Sequence, residues 1–98
     1  LQNLQIFSES SLNQNGYIKF LNGLIIQWGF ISNGENGVIK TTNFPLAFTS
    51  ACFSVTTNLY GGIAERANTA ITITNITKTS FKTKHYDIYG CHWIAIGI

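Results

Sequence analysis

The sequence is poor in charge, in proline and in any sign of helix. Its 98 residues include four acidic and six basic side chains, a formal net charge of +2. An ordinary globular domain has about a quarter of its residues charged. Six scattered cations do not form the clustered basic surface of a nucleic-acid-binding protein, so no nucleic-acid partner is expected. Lys78, Lys82 and Lys84 come nearest to a patch, and lysines alternating along a strand are its solvated face. No run approaches the ~18 apolar residues of a membrane helix and no segment reads as a targeting signal, so membrane insertion is not expected. The two cysteines, Cys52 and Cys91, are too few for a disulfide framework, and both are expected as free thiols. There is no methionine, and the opening LQNLQIFSESSLNQNG is polar. Residues 1–15 therefore read as a linker or neck from a longer chain, and 16–98 as one domain.

Asn, Thr, Ser, Gln and Gly take the place of charge, and β-branched residues dominate after the first dozen positions. The pattern predicts strands over Tyr17–Phe20, Leu24–Ser32, Val38–Thr42, Cys52–Leu59, Thr69–Thr77, Ser80–Ile88 and His92–Gly97. Asn22-Gly23 suits a type I′ hairpin turn. Pro45 cannot donate to a ladder and marks an edge or a crossing between sheets. In the fourth of these strands Phe53, Val55 and Leu59 are expected on one face; in the fifth, Ile71 and Ile73 oppose Thr72 and Thr74. About seven short strands without helical spacers predict an all-β fold, an antiparallel β-sandwich.

Two strands are apolar on both sides. Leu24, Ile26, Trp28 and Phe30 alternate with Ile25, Gln27, Gly29 and Ile31, while His92, Ile94, Ile96 and Ile98 alternate with Trp93, Ala95 and Gly97. One sandwich core uses one face of each strand. The surplus is expected to meet further copies of the chain, with Trp28 and Trp93 in the core or a subunit interface.

Catalytic chemistry has little to work with. A glycosidase needs two carboxyl groups about 5–10 Å apart, and the acids are Glu9, Glu35, Glu65 and Asp87. Only Glu65 and Asp87, on loops at one end of a sandwich, could converge. A Cys91–His85 dyad lacks an oxyanion-hole element, and neighbouring Cys91 and His92 point to opposite faces of a strand. His85, Asp87 and His92 could in principle share an ion, but a surface His85 hydrogen-bonded to Asp87 is the simpler expectation. No enzyme activity, cofactor or metal is expected.

The blocks GYIKFLNGLIIQWG (16–29), NFPLAFTSACFSV (43–55) and the closing WIAIGI (93–98) resemble the C-terminal domain of tail fibre proteins from tailed phages and prophages. The resemblance covers about residues 16–98 and is most specific at NGLIIQWG. It implies a β-sandwich, a homotrimer and a position at the distal tip of a virion's tail fibre, made in the host cytoplasm. It also implies a bacterial surface receptor, a glycan or an outer-membrane protein. Leu24, Ile26, Trp28, Phe30, Trp93, Ile94, Ile96 and Ile98 would then form the subunit interface or core. The loops around 60–68 and 85–92 do not follow the family, and receptor choice is expected there. Their candidate contacts are Tyr60, Arg66, Asn68, His85, Tyr86, Asp87 and Tyr89, since aromatic faces and planar polar groups hold sugars; the tyrosines could equally cap the edges of the core. Two other readings remain: a purely structural trimerisation cap, and a small carbohydrate-cleaving domain.

Overall fold

The computed structural model describes residues 6–32, 37–60, 70–86 and 90–98. Eight strands run through them: β1 (Phe7–Ser11), β2 (Gly16–Phe20), β3 (Ile25–Ser32), β4 (Ile39–Asn43), β5 (Cys52–Tyr60), β6 (Ala70–Thr74), β7 (Ser80–Tyr86) and β8 (Gly90–Gly97). They form two antiparallel sheets, one of five strands in the order β1-β2-β3-β8-β5 and one of three in the order β4-β7-β6. The expected all-β class and two-sheet arrangement are what the chain adopts, with one strand more than the sequence pattern indicates. That strand, β1, lies within the stretch assigned to a linker and pairs with β2 from Phe7↔Phe20 to Ser11↔Tyr17. Its sequence, FSESS, has one apolar residue and almost no buried position, so it carries no alternation to detect.

The hairpin between β2 and β3 differs from the expected type I′ turn. Gly23 N–H donates to Phe20 C=O at 3.0 Å, and Phe20 N–H donates to Leu24 C=O at 2.8 Å. Only Gly23 (φ 97°) is left-handed in this loop. That is a three-residue loop, a type I turn closed by a left-handed glycine, and Asn22 serves it by accepting the Leu24 N–H on its side chain at 3.0 Å. From there β3 pairs with β8 without interruption from Ile25↔Gly97 to Ser32↔Gly90. Pro45 sits where the sequence suggests, in the passage from β4 of the small sheet to β5 of the large one.

The core is made by Ile25 and Ile31 of β3, Val55 of β5, Phe81 of β7, and Cys91, Trp93 and Ala95 of β8, with Phe44 and Phe48 from the β4–β5 passage. Its centre is aromatic: Phe81 and Phe44 stand 5.3 and 5.7 Å from Trp93, both near edge-to-face. β1 and β2 contribute nothing to this cluster. In β6, Ile71 and Ile73 pack inward as expected while Thr72 and Thr74 face solvent. Phe53 does not join Val55: the ladder shifts between Cys52 and Ser54, and this irregularity leaves Phe53 62% exposed. Cys52 pairs with Gly97 and Cys91 with Leu59, putting the free thiols at opposite ends of one ladder, about 20 Å apart and far beyond disulfide reach.

The polar interruption in β3 is structural. Gln27 is fully buried and binds the backbone of the β4–β5 passage with both ends of its amide: its Nε2 donates to Leu46 C=O, and Leu46 N–H donates to its Oε1 at 2.8 Å. The amide thus acts as a short piece of partner strand for a segment that belongs to neither sheet. Gln27→Leu keeps the volume and orphans both Leu46 groups, at roughly 1–3 kcal/mol each. We expect the melting temperature at fixed protein concentration to fall by about 8 °C or more; a fall of only a degree or two would contradict this role.

Candidate functional site

The register gathers several strand ends at one end of the sandwich. Ser32 and Tyr60 both lie opposite Gly90 across β8, Ala70 lies opposite Tyr86, and Ile39 pairs with Lys84 nearby. Residues 33–36, 61–69 and 87–89, which join these ends, lie outside the described residues, as do Arg66, Asn68, Asp87, Tyr89 and the side chains of Tyr60 and Tyr86. The topology therefore attaches both expected receptor-contacting stretches at the same end. The opposite end holds the β2–β3 turn, the β4–β5 passage and the last residue, Ile98, whose N–H donates to Ala51 C=O at 2.9 Å.

His85 is the one member of the expected receptor set whose side chain is described, and it is not at a rim. It is 1% exposed, in line with Phe81 and Thr83 on the inner face of β7 and opposite Ile71. Alternation from Phe81 sends it inward, which overturns the expectation of a surface His85 hydrogen-bonded to Asp87 or contacting a receptor at a rim. His92 faces outward from the other sheet, so the two imidazoles cannot share an ion within one chain. Nor do the thiols suit nucleophilic work: burial raises the pKa of both Cys52 and Cys91, which favours the unreactive thiol.

The outer face of the large sheet is apolar along β2, β3 and β8. Ile18 of β2 lies beside Ile26 of β3, and Ile26, Trp28 and Phe30 lie beside Ile96, Ile94 and His92 of β8. The β3 residues and Leu24 are half-buried, whereas Ile94, Ile96 and Ile98 remain 50%, 40% and 38% exposed. Trp28 is fastened to this face by donating its indole N–H to Asn13 C=O at 2.9 Å. Trp93 belongs to the opposite, inner face at 2% exposure. The grouped interface and core residues thus divide, with Trp93 inside and the rest on or beside the outer surface.

Between the sheets a cleft of about 450 Å³ opens alongside β4. Its lining includes Asn15, Ser32, Lys40, Thr42, Asn43 and Trp93. Lys40 and Thr42 are the inward positions of β4, paired with Thr83 and Phe81, and Lys40 Nζ donates to Ser32 C=O at 3.2 Å. Asn15 Oδ1 accepts the Phe30 N–H at 2.9 Å. Sequence reasoning missed this cleft, because its residues come from separate segments; a lysine and a threonine on the inward side of a strand are the local sign that the face meets no sealed core.

These features define the class: a small antiparallel β-sandwich with an apolar outer face on its wider sheet. The chain belongs to the family of gp53-like tail fibre proteins, whose C-terminal domain matches residues 19–98. The same fold occurs in an N-truncated R2-type pyocin tail fibre, with a TM-score of 0.78 and 20% identity over 92% of this chain and 37% of that one. An N-truncated R1-type pyocin tail fibre aligns with a TM-score of 0.70 and 29% identity, covering 92% of this chain and 84% of that one. A curated relative, uncharacterized protein MJ0347 of Methanocaldococcus jannaschii, is 35% identical over 94 residues, which is 85% of this chain and 62% of that protein. The chain thus spans less than two thirds of that relative's length, and the domain is the C-terminal part of a tail fibre component.

Burial of His85 has a consequence in solution. Desolvation, with a smaller contribution from the Lys40 charge, lowers its pKa below the ordinary 6.5. The unfolded chain then binds a proton that the folded chain resists, so stability is fully present at neutral pH and is lost as pH falls through 6.5 and below. Denaturation midpoints should drop between about pH 7.5 and 5.5, and His85→Gln should flatten that slope. A wild-type slope that survives the substitution would contradict the assignment.

Proposed function

We propose that this domain is the receptor-binding tip of a phage-type tail fibre: a non-enzymatic homotrimer at the distal end of the fibre that binds a glycan or an outer-membrane protein on the bacterial surface. The observation that carries this reading is the apolar outer face running across β2, β3 and β8. A chain with little charge leaves Ile94, Ile96 and Ile98 open on the same face as Trp28 and Phe30, and exposed apolar side chains grouped on one face suit a contact with another polypeptide. The shape supports the same view. The Cα radius of gyration is 15.4 Å, against about 13 Å for a compact chain of this length, and the principal extents are 57 × 26 × 16 Å. Thin, elongated protomers can stack side by side along a fibre axis.

With that face covered by copies, the strand ends around Gly90 stay available to a receptor. Tyr60 and Arg66 are residue types suited to gripping one. The first offers an aromatic surface with little entropy to lose, and the second a planar fork of donors. Tyr60→Ala and Arg66→Ala in the full fibre should each weaken adsorption to host cells by about 1–3 kcal/mol, as truncation of an anchor does. The melting temperature should stay within a few degrees. Adsorption equal to the parent's would overturn the receptor-contact assignment and favour a structural trimerisation cap.

A further inference from the structure

The cleft beside β4 has a buried donor that nothing in the described chain answers. Trp93 is 2% exposed, yet its Nε1–H has no hydrogen-bond partner among the described residues. A buried indole N–H ordinarily finds one, and leaving it unmet costs roughly 1–3 kcal/mol. The position is built, not accidental. Phe44 and Phe81 hold the ring from the core side, and the indole lies across Gly29, its partner in the β3–β8 ladder. A Cβ at position 29 would stand 2.6 Å from Trp93 Nε1 and 2.5 Å from Asn15 Oδ1, so glycine is what lets the indole nitrogen reach the neighbourhood of Asn15, where the cleft begins.

Two donors in the cleft have capacity to spare besides that nitrogen. The Asn15 amide has its oxygen committed to the Phe30 N–H and retains an NH2. Lys40 spends one of its three ammonium protons on Ser32 C=O. Among the described residues the lining holds one charged side chain, Lys40. An occupant that offers acceptors to the indole and the amide and a negative charge to Lys40 would meet all three. The volume of about 450 Å³ is at the smaller end of ligand pockets, and aromatic with hydroxyl-bearing walls suit a ring that has C–H faces and hydroxyl edges. A single cation balances a carboxylate better than a phosphate, whose charge approaches −2 near neutral pH. We infer that the cleft binds an acidic sugar, a hydroxylated ring whose carboxylate faces Lys40 and whose oxygens accept from Trp93 Nε1–H and Asn15. This rests on the receptor-binding reading and deepens it: the sugar site would lie on the flank of the sandwich, beside β4, and would serve with or without the loops at the Gly90 end.

The probes are methyl glucuronide and its neutral counterpart, methyl glucoside, added to the ¹⁵N-labelled domain. Trp28→Phe assigns the two indole signals. Glucuronide should move the Trp93 Nε1–H resonance saturably at concentrations up to about 10 mM, the range in which a Kd near 1 mM is read, and glucoside should do so at least about tenfold more weakly. Lys40→Gln should erase the difference between the two sugars. Asn43→Asp, at an exposed lining position where refolding is not at issue, should weaken glucuronide alone. No movement with either sugar, or an equal response to both, would overturn the inference. So would an Asn43→Asp variant that binds glucuronide like the parent. Host-cell adsorption separates this from the tip reading: if the Lys40→Gln and Asn43→Asp fibres adsorb normally while Tyr60→Ala fails, the cleft assignment is wrong and the tip reading stands.

Discussion

A sheet of three strands cannot cover a sheet of five. In this domain the small sheet, with the β4–β5 passage, closes a core over β3, β8 and β5, where Ile25, Ile31, Val55, Cys91, Trp93 and Ala95 are buried. β1 and β2 extend past it. Their inward side carries Tyr17 and Lys19, half-exposed, and Tyr17 donates its hydroxyl to Glu9 at 2.8 Å instead of packing. At the step where cover ends, beside β4, the inward residues turn from apolar to Lys40 and Thr42, and the cleft appears. Width mismatch alone accounts for why this sandwich has a sealed half and an open half.

The second consequence of a small domain is what its strands can do with alternation. Because β3 and β8 lie side by side over eight residue pairs, their inner and outer sets are each continuous surfaces. The inner one is completed by the other sheet and by Gln27, which binds the Leu46 backbone at the crossing. Glycine at position 29 makes room for the Trp93 indole. The outer one, with Trp28 tied to Asn13 and three isoleucines open, is completed in the proposed trimer by further copies. In the proposed trimer the two faces use the same ladder for different ends, one for folding and one for assembly.

What was legible in the sequence follows from period-2 patterning. The strands from β2 onward, the crossing at Pro45 and the opposed faces of β3, β6 and β8 could be read because buried residues recur at every second position. Where that signal is absent or interrupted, reading failed. β1 has one apolar residue in five; the irregularity at Cys52–Ser54 moves Phe53 off the face of Val55; and a histidine that is fully buried, His85, looks like any polar residue near a strand end. The Asn22-Gly23 pair identified a hairpin but not its loop length, since a left-handed glycine serves both turn types. The cleft was not legible at all, for Asn15, Lys40 and Trp93 meet only through strand registers that no local pattern records.

If the outer face of β2, β3 and β8 is an interface, the isolated domain must associate through it. The most direct test is the mass of the domain in solution by multi-angle light scattering at micromolar concentration, repeated with Ile94→Asp and Ile96→Asp together, two exposed positions outside the core. Three chains are predicted for the parent and one folded chain for the double variant. A parent domain that is a stable monomer, or a double variant that remains trimeric, would contradict the interface.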